Sequence, residues 1–363
     1  MAGKKIGISR DLIIHPGETI ADVLEERGIT QAELAARAGV SPAYVSAVIA
    51  GNKGISANFA MGLEYALEVP KSFWLNLQAN YESELLEANE SGTITEEERK
   101  AREDLKDIVK YLRQRGMMPI REKKDDSILS LRKALQISNI ANLREMVPTG
   151  AFRMAAHSNV NPYVLGAWIR LCQNAGSSEN MPARFDKKYT LELVNEIKGV
   201  MCKRDANLQK DLKSVMGKYG IDFSVARNFR GAPVQGYISQ RSNGIYQMVL
   251  TIRGAFADIF WFSLFHEIGH IVNGDIGKTS KFIDDGSDRD KEAAADLFAS
   301  NMLLSPESYE EFVGKGDFSI EEIQKYAESQ NVMPYIVIGR LQKEKYLDYM
   351  TYCNYKLRYK WGN

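Results

Sequence analysis

Histidine is scarce in this chain: four occur among 363 residues, and two of them, His266 and His270, stand four positions apart. Cysteine is scarcer. Cys172, Cys202 and Cys353 are odd in number, far apart and in no metal-ligand spacing. That argues against a disulfide framework or a cysteine-ligated zinc site, and reduced thiols in a cytoplasm are expected. An excess of either charge is missing, since Lys plus Arg and Asp plus Glu both number 47. Net charge therefore selects no partner, although a local basic face remains open. No run of about 18 apolar residues exists, so no membrane span is expected. The opening MAGKKIGISRDLIIHPGE has no apolar core of the kind a secretory signal needs. No internal repeat stands out. What is present is an ordinary globular balance, 44% hydrophobic and 26% charged, on a chain of 363 residues that exceeds one core. Two or three domains are expected.

Residues 15 to 90 read as five short helices. HPGETIADVLEERG begins near Pro16 and stops at Gly28, with Ile20, Val23 and Leu24 on one face. In TQAELAARAGVSPAYVSAVIAG, Thr30 and Glu33 form a capping box and Gly39 can end the helix in the left-handed region. Ser41 then caps a helix opened by Pro42 and closed at Gly51. Two helices joined by so tight a turn are a helix-turn-helix pattern, whose second helix would enter the major groove. Leu34, Ala35, Val40, Val45 and Ile49 are expected to face inward. Gln31, Ser41, Ala43, Tyr44, Ser46, Asn52 and Lys53 are the candidate DNA contacts. The outward face is only weakly basic, through Arg37 and Lys53, which favours a dimer on DNA. A bundle that binds only protein is the competing reading.

ESGTITEEERK is polar and suits a linker. Leu105, Ile108, Val109 and Leu112 then form one apolar stripe on a charged surface helix over 96–115. The stretch 128–197 is helical in character with few boundary signals. From about 219 the pattern becomes strand-like, and QRSNGIYQMVLTI carries Asn243-Gly244 between β-rich flanks, a hairpin signal. DIFWFSLFHEIGHIVNG and KEAAADLFASNMLLSP return to helix, followed by two helices in SIEEIQKYAESQNVMPYIVIGRLQKEKYL.

His266-Glu267-Ile268-Gly269-His270 reads H-E-x-x-H. Positions i and i+4 share one helix face, so both imidazoles can reach one ion, and Glu267 can take a proton from water on it. A catalytic zinc needs a third ligand. His15 belongs to another domain and His157 to an ill-defined segment, so a carboxylate is the better candidate. Glu292 is assigned as that ligand, with Asp296, one turn on, bonding the far nitrogen of a histidine ligand. Ala293, Ala294 and Ala295 would allow close helix packing, with Leu297, Leu303 and Leu304 toward the core. Two histidines and a carboxylate fit zinc, with manganese or iron as alternative ions.

FHEIGHIVNGD followed by KEAAADLFASNMLLSP resembles the ImmA/IrrE family of metallopeptidases over about 220–310. Glu292, Ala295, Asp296, Phe298, Ala299, Leu303 and Pro306 carry the second half of the likeness, which departs from the family's frequent Leu-Leu-Met-Pro at Met302–Pro306. The resemblance implies a zincin-like fold, a regulatory helix-turn-helix protein as typical substrate, and the Gln247–Ile252 strand as a candidate substrate-binding edge. Tyr237 and Tyr246 are weak candidates for stabilising an oxyanion; ordinary strand packing is the simpler reading. HPGETIADVLEERG through FWLNLQANYE resembles the HigA-type branch of the Xre/Cro repressors nearly end to end. This implies operator DNA as ligand, a homodimer, autorepression and, in many relatives, a toxin partner. It makes His15 structural, and Phe73, Trp74 and Leu77 core or dimer contacts.

The expected fold is mainly α with a small β-sheet. An all-α helix-turn-helix bundle would occupy 1–92, a helical middle region 93–215 and a C-terminal α+β zincin-like domain 216–363. The expected function is a cytoplasmic DNA-binding regulator with a zinc endopeptidase domain that cuts itself or another regulatory protein. The alternative is a repressor or antitoxin whose peptidase-like domain holds metal or a partner without cutting.

Overall fold

The structure is a computed structural model and describes residues 13–147, 160–175, 184–203, 207–241, 243–252, 256–276, 281–283 and 289–360. His157 lies outside the described residues. The chain is mainly helical with a small mixed sheet, and it divides into two compact units, 1–96 with 123–129, and 97–122 with 130–363.

The first unit holds α1 (Pro16–Arg27), α2 (Gln31–Ala38), α3 (Pro42–Ile49), α4 (Ala57–Leu67) and α5 (Lys71–Asn89). Each short helix is closed by its own sequence. His15, Thr30, Ser41 and Ser56 cap the first four, each accepting a backbone N–H, and Gly28 and Gly39 end α1 and α2 at φ 63° and 71°. Such short helices are marginal alone and gain stability by packing. Here Ile20, Leu34, Val45, Val48, Leu63 and Trp74 close one core. The capping box at α2 is half formed: Thr30 accepts from the Glu33 N–H, but the Glu33 carboxylate turns to Arg37 instead.

In the second unit, α6 (Glu96–Asp104) opens at the unit boundary and α7 (Lys106–Gln114) follows. The single helix expected over 96–115 is therefore two, broken at Leu105, and its stripe of Leu105, Ile108, Val109 and Leu112 is buried. α8 (Lys124–Leu135) starts in the 123–129 segment of the first unit, and its later part carries Arg132, which grips the fully buried Glu98 through two bonds of 2.9 and 2.6 Å; the same carboxylate also accepts the Ile140 N–H. Then come α9 (Pro162–Ala175), α10 (Thr190–Cys202) and α11 (Leu208–Lys218).

The sheet has β1 (Ile221–Ala226), β2 (Gly236–Gln240), β3 (Tyr246–Thr251) and β4 (Lys281–Ile283) in the order β1-β3-β2-β4. β2 and β3 form the expected hairpin with Gln240 opposite Tyr246. Its turn is longer than a two-residue one: Arg241 and Ile245 close it, and Gly244 takes φ 85°. β3 is not an edge. It pairs with β1 in parallel and with β2 antiparallel, and every one of its residues is buried. The edges are β1 and β4, so the Gln247–Ile252 run cannot add a substrate strand; the parallel crossover that brings β1 alongside β3 leaves no local signal in the sequence.

α12 (Ala257–Asn273), α13 (Arg289–Leu303), α14 (Pro306–Lys315), α15 (Ile320–Ser329) and α16 (Pro334–Lys343) complete the unit. α12 is buried on most sides, and its Trp261, Leu264, Phe265 and Ile268 sit in one core with Phe223, Met248 and Val337. Lys198 is buried in this unit and donates to the carbonyls of Leu303 and Gln330 at 3.0 and 3.1 Å, with its pKa pulled below the usual lysine range by burial.

Candidate metal centre and helix-turn-helix face

α12 and α13 cross at Gly269. A methyl there would meet the Ala295 backbone, with Cα at 3.1 Å and O at 3.2 Å. The lack of a side chain at Gly269 thus sets how closely the two functional helices approach. Of the three alanines expected at the crossing, Ala295 is buried, whereas Ala293 and Ala294 are exposed. Leu303 and Leu304 face the core as expected; Leu297 does not, and is 61% exposed because it lies on the other side of α13.

His266, Glu267 and His270 are all buried on α12. The two Nε2 atoms lie 3.0 Å apart. Glu292 on α13 presents Oε2 at 3.2 Å from His266 Nε2 and Oε1 at 3.6 Å from His270 Nε2. The far nitrogens are both held by carboxylates: His266 Nδ1 is 2.8 Å from Asp296, and His270 Nδ1 is 2.9 Å from Asp275. The bond from His266 holds the Asp296 carboxyl below the usual carboxylate range against the opposing effect of burial, and Lys343, 3.8 Å away, acts in the same direction.

A carboxylate at each Nδ1 suits that nitrogen as the donor and turns each Nε2 toward the space shared with Glu292. The two Nε2 atoms lie 3.0 Å apart there, and Glu292 Oε1 is buried with no hydrogen-bond partner. A cation among the three groups would be bound by all of them. The donor set of two imidazoles and one carboxylate suits a catalytic zinc. His266, His270 and Glu292 can therefore hold a metal ion, their ligand atoms all within 4.8 Å of one another. Gln235, Phe262 and Ser263 join His266, Glu267, Glu292 and Asp296 around a cavity of about 220 Å³.

Glu267 is fixed from the sheet side. A methyl at Gly236, the first residue of β2, would lie 2.0 Å from Glu267 Oε1. Asp275 and Gly236 are absent from the sequence-based site. Asp275 had a readable signal. Gly274 ends α12 at φ 80° and turns the chain, so the next residue folds back beside His270, with its own N–H on the His270 carbonyl at 3.0 Å. Gly236 had none, because its role depends on sheet packing. Tyr237 and Tyr246 are core packing: Tyr237 is buried beside Trp168, and Tyr246 sits edge-on to Phe185.

At the other end of the chain, α2 and α3 are linked by Gly39, Val40 and Ser41. Gln31, Ser41, Ala43, Ser46, Asn52 and Lys53 are exposed. Tyr44 is half-buried, packs edge-on to Phe59 and donates to Gly54 O at 3.2 Å, so its hydroxyl is committed to the loop after α3. Lys53 Nζ lies 5.4 Å from the Tyr44 ring. Leu34, Ala35 and Val45 are buried as expected, Val40 and Ile49 are partly buried against the same core, and Val48 is fully buried as well. His15 is the N-cap of α1, accepting the Gly17 N–H at 2.9 Å and lying edge-on to Tyr81. Trp74 is core, Leu77 packs against that core, and Phe73 is 46% exposed.

Residues 20–74 match the helix-turn-helix family model, so this segment is a helix-turn-helix domain, the class of fold that binds DNA. Two solved structures are similar to the same end of the chain. The antitoxin GraA is 31% identical, covering 24% of this chain and 98% of its own, with a TM-score of 0.22. An addiction module antidote protein of the HigA family from Coxiella burnetii is also 31% identical, covering 22% of this chain and 87% of its own, with a TM-score of 0.21. No curated protein matches the chain. No described helix is long and apolar enough to cross a membrane.

Proposed function

We propose that the chain is a DNA-binding transcriptional regulator that carries a zinc-dependent endopeptidase centre. One observation carries the enzymatic part. Two imidazole Nε2 atoms and the Glu292 carboxylate converge beside a pocket that His266, Glu292 and Glu267, the residue after His266 on α12, all line. When bound, a divalent ion supplies Lewis acidity and makes water acidic enough to react near neutral pH. The chain's own residues do the rest. Asp296 and Asp275 hold Nδ1 of each histidine, so that Nε2 is the nitrogen presented to the ion. Glu267 accepts a proton at its carboxylate and returns it to the departing amine nitrogen. Binding alone needs only His266, His270 and Glu292, so the presence of Glu267 beside them favours cleavage.

The division at 92 and 215 belongs to the proposal: 1–92 binds operator DNA, 216–363 holds the metal, and the helices of 93–215 connect the two functions. The HPGE opening and FWLNLQANY helix favour a HigA-type homodimeric autorepressor with a toxin as protein partner. Gln31, Ser41, Ala43, Ser46, Asn52 and Lys53 face the DNA. Tyr44 contributes by holding the loop after α3.

The test loads wild type and Glu267→Gln with zinc. Each is incubated alone and with a helix-turn-helix repressor, with and without operator DNA, and fragments are read by mass spectrometry. Cleavage by wild type only, at equal zinc content, is expected. Cleavage by both, or by neither under every condition, rejects the peptidase and leaves a metal-holding regulator.

A further inference from the structure

A second cavity, about 600 Å³, adjoins the metal pocket, and Gln235, Phe262 and Ser263 line both. The two are continuous along the helices. On α12 the face that carries His266 and Glu267 continues one and two turns earlier as Phe262, Ser263 and Ile259. On α13 the face that carries Glu292 and Asp296 continues as Ser300 and Leu303, with Leu304 just past its end. Residues three and four apart share a helix face, so the geometry that gathers the ligands also builds this cavity.

Most of its charges pair with one another; the exception, Lys343, lies 3.8 Å from Asp296 and over the Phe262 ring at 4.5 Å. Lys356 meets Asp258 at 2.6 Å, and Arg340 meets Glu344 at 2.9 Å. What the cavity offers an occupant is its apolar lining: Ile259, Leu303, Leu304 and Ile336, with Tyr349 at the exposed side. At the wall shared with the metal pocket, Ser263 Oγ donates to Gln235 Oε1 at 2.9 Å, which turns the Gln235 amide nitrogen away from Ser263 as a donor. A volume of this size suits a ligand larger than one side chain.

We infer that this cavity is the substrate subsite, seating an apolar peptide segment of about two residues beside the scissile bond. The inference rests on the peptidase reading for its substrate class. Burial of the segment's apolar surface holds it, and the Gln235 amide donates to a backbone carbonyl where the segment passes from cavity to metal pocket.

The test is a binding measurement on full-length, zinc-loaded Glu267→Gln, so that cleavage does not enter. Acetyl-Leu-Phe-amide and acetyl-Glu-Glu-amide are titrated by calorimetry. The apolar probe is expected to bind at least tenfold more tightly. Ser300→Phe in the same background fills the cavity and is expected to weaken the apolar probe at least tenfold while zinc stoichiometry stays the same. Equal affinity for the two probes, no binding, or no effect of Ser300→Phe overturns the inference. If Ser300→Phe does not fold, Ile259→Glu at the rim, where Ile259 is 38% exposed, must produce the same loss. Probe binding as expected alongside a wild type that cuts nothing keeps the subsite and rejects the peptidase. A wild type that cuts, with an apolar probe that does not bind, does the reverse.

Discussion

Two glycines in the two units look alike and do different work. A methyl on Gly17 would sit 2.1 Å from the Val48 carbonyl oxygen, and one on Gly236 would sit 2.0 Å from Glu267 Oε1. The first neighbour is backbone in the last turn of α3 and cannot yield as a side chain can. The second is the end of a side chain that can move, at the cost of leaving its place beside the histidines. In the N-terminal unit, tightness therefore serves the fold: α1 and α3 must touch for five short helices to share one core. In the C-terminal unit it serves the site, because the sheet presses a carboxylate into position.

The largest expected effects test this contrast directly. On the proposed peptidase function, Gly236→Ala should lower cleavage by about 100-fold or more, the scale of a misplaced general base, with zinc content unchanged. Gly17→Ala should instead destabilise the N-terminal unit by about 3 kcal/mol, the upper range for overpacking, and abolish operator binding. Denaturant melts, zinc analysis and a peptidase assay on both variants separate the two. Loss of zinc in Gly236→Ala would mean that Gly236 supports the fold as Gly17 does.

Next in size is the outer layer of the metal site. Asp275→Ala and Asp296→Ala each remove a carboxylate from an Nδ1–H. Each should weaken zinc by roughly 10- to 100-fold, read by competition with a chelator. Asp275 is the sharper case: its side chain is the more buried of the two, so water replaces it less easily.

Smaller still is the cap at α3. Ser41→Ala removes the acceptor of the Tyr44 N–H and should cost about 1 kcal/mol in the N-terminal unit. The smallest effect is on pH dependence. Burial lowers the His15 pKa, against an opposing contribution from Glu18. The neutral ring accepts the Gly17 N–H, so the folded unit binds fewer protons there than the unfolded chain. Its contribution is fully present above the ordinary histidine value of 6.5 and is lost as pH falls below it. Melts of wild type and His15→Asn between pH 5 and 7.5 should converge toward the acid end.

The N-terminal helices were legible because each carries its own punctuation. Thr30, Ser41, Gly28 and Gly39 act within a turn of where they stand, so local chemistry sets the boundaries. His266, Glu267 and His270 were legible for the same reason, as were the hairpin flanks of Asn243-Gly244. The missed features are set by residues far apart in sequence. β3 became central only because β1 returns parallel to it, and Gly236 matters only because β2 lies against α12. The break at Leu105 ran through an apolar stripe that suits one helix or two. Leu297 is apolar but stands on the opposite side of α13 from the core, so residue type alone does not give its direction.

The central claim is that α12 and α13 build a site for one metal ion. The direct measurement is elemental analysis of the full-length protein after zinc loading and desalting, with His266→Ala and Glu292→Gln alongside. The account predicts close to one zinc per chain in wild type and little in either variant, with the helical content of all three unchanged by circular dichroism. No zinc in folded wild type, or as much in the variants as in wild type, would contradict it.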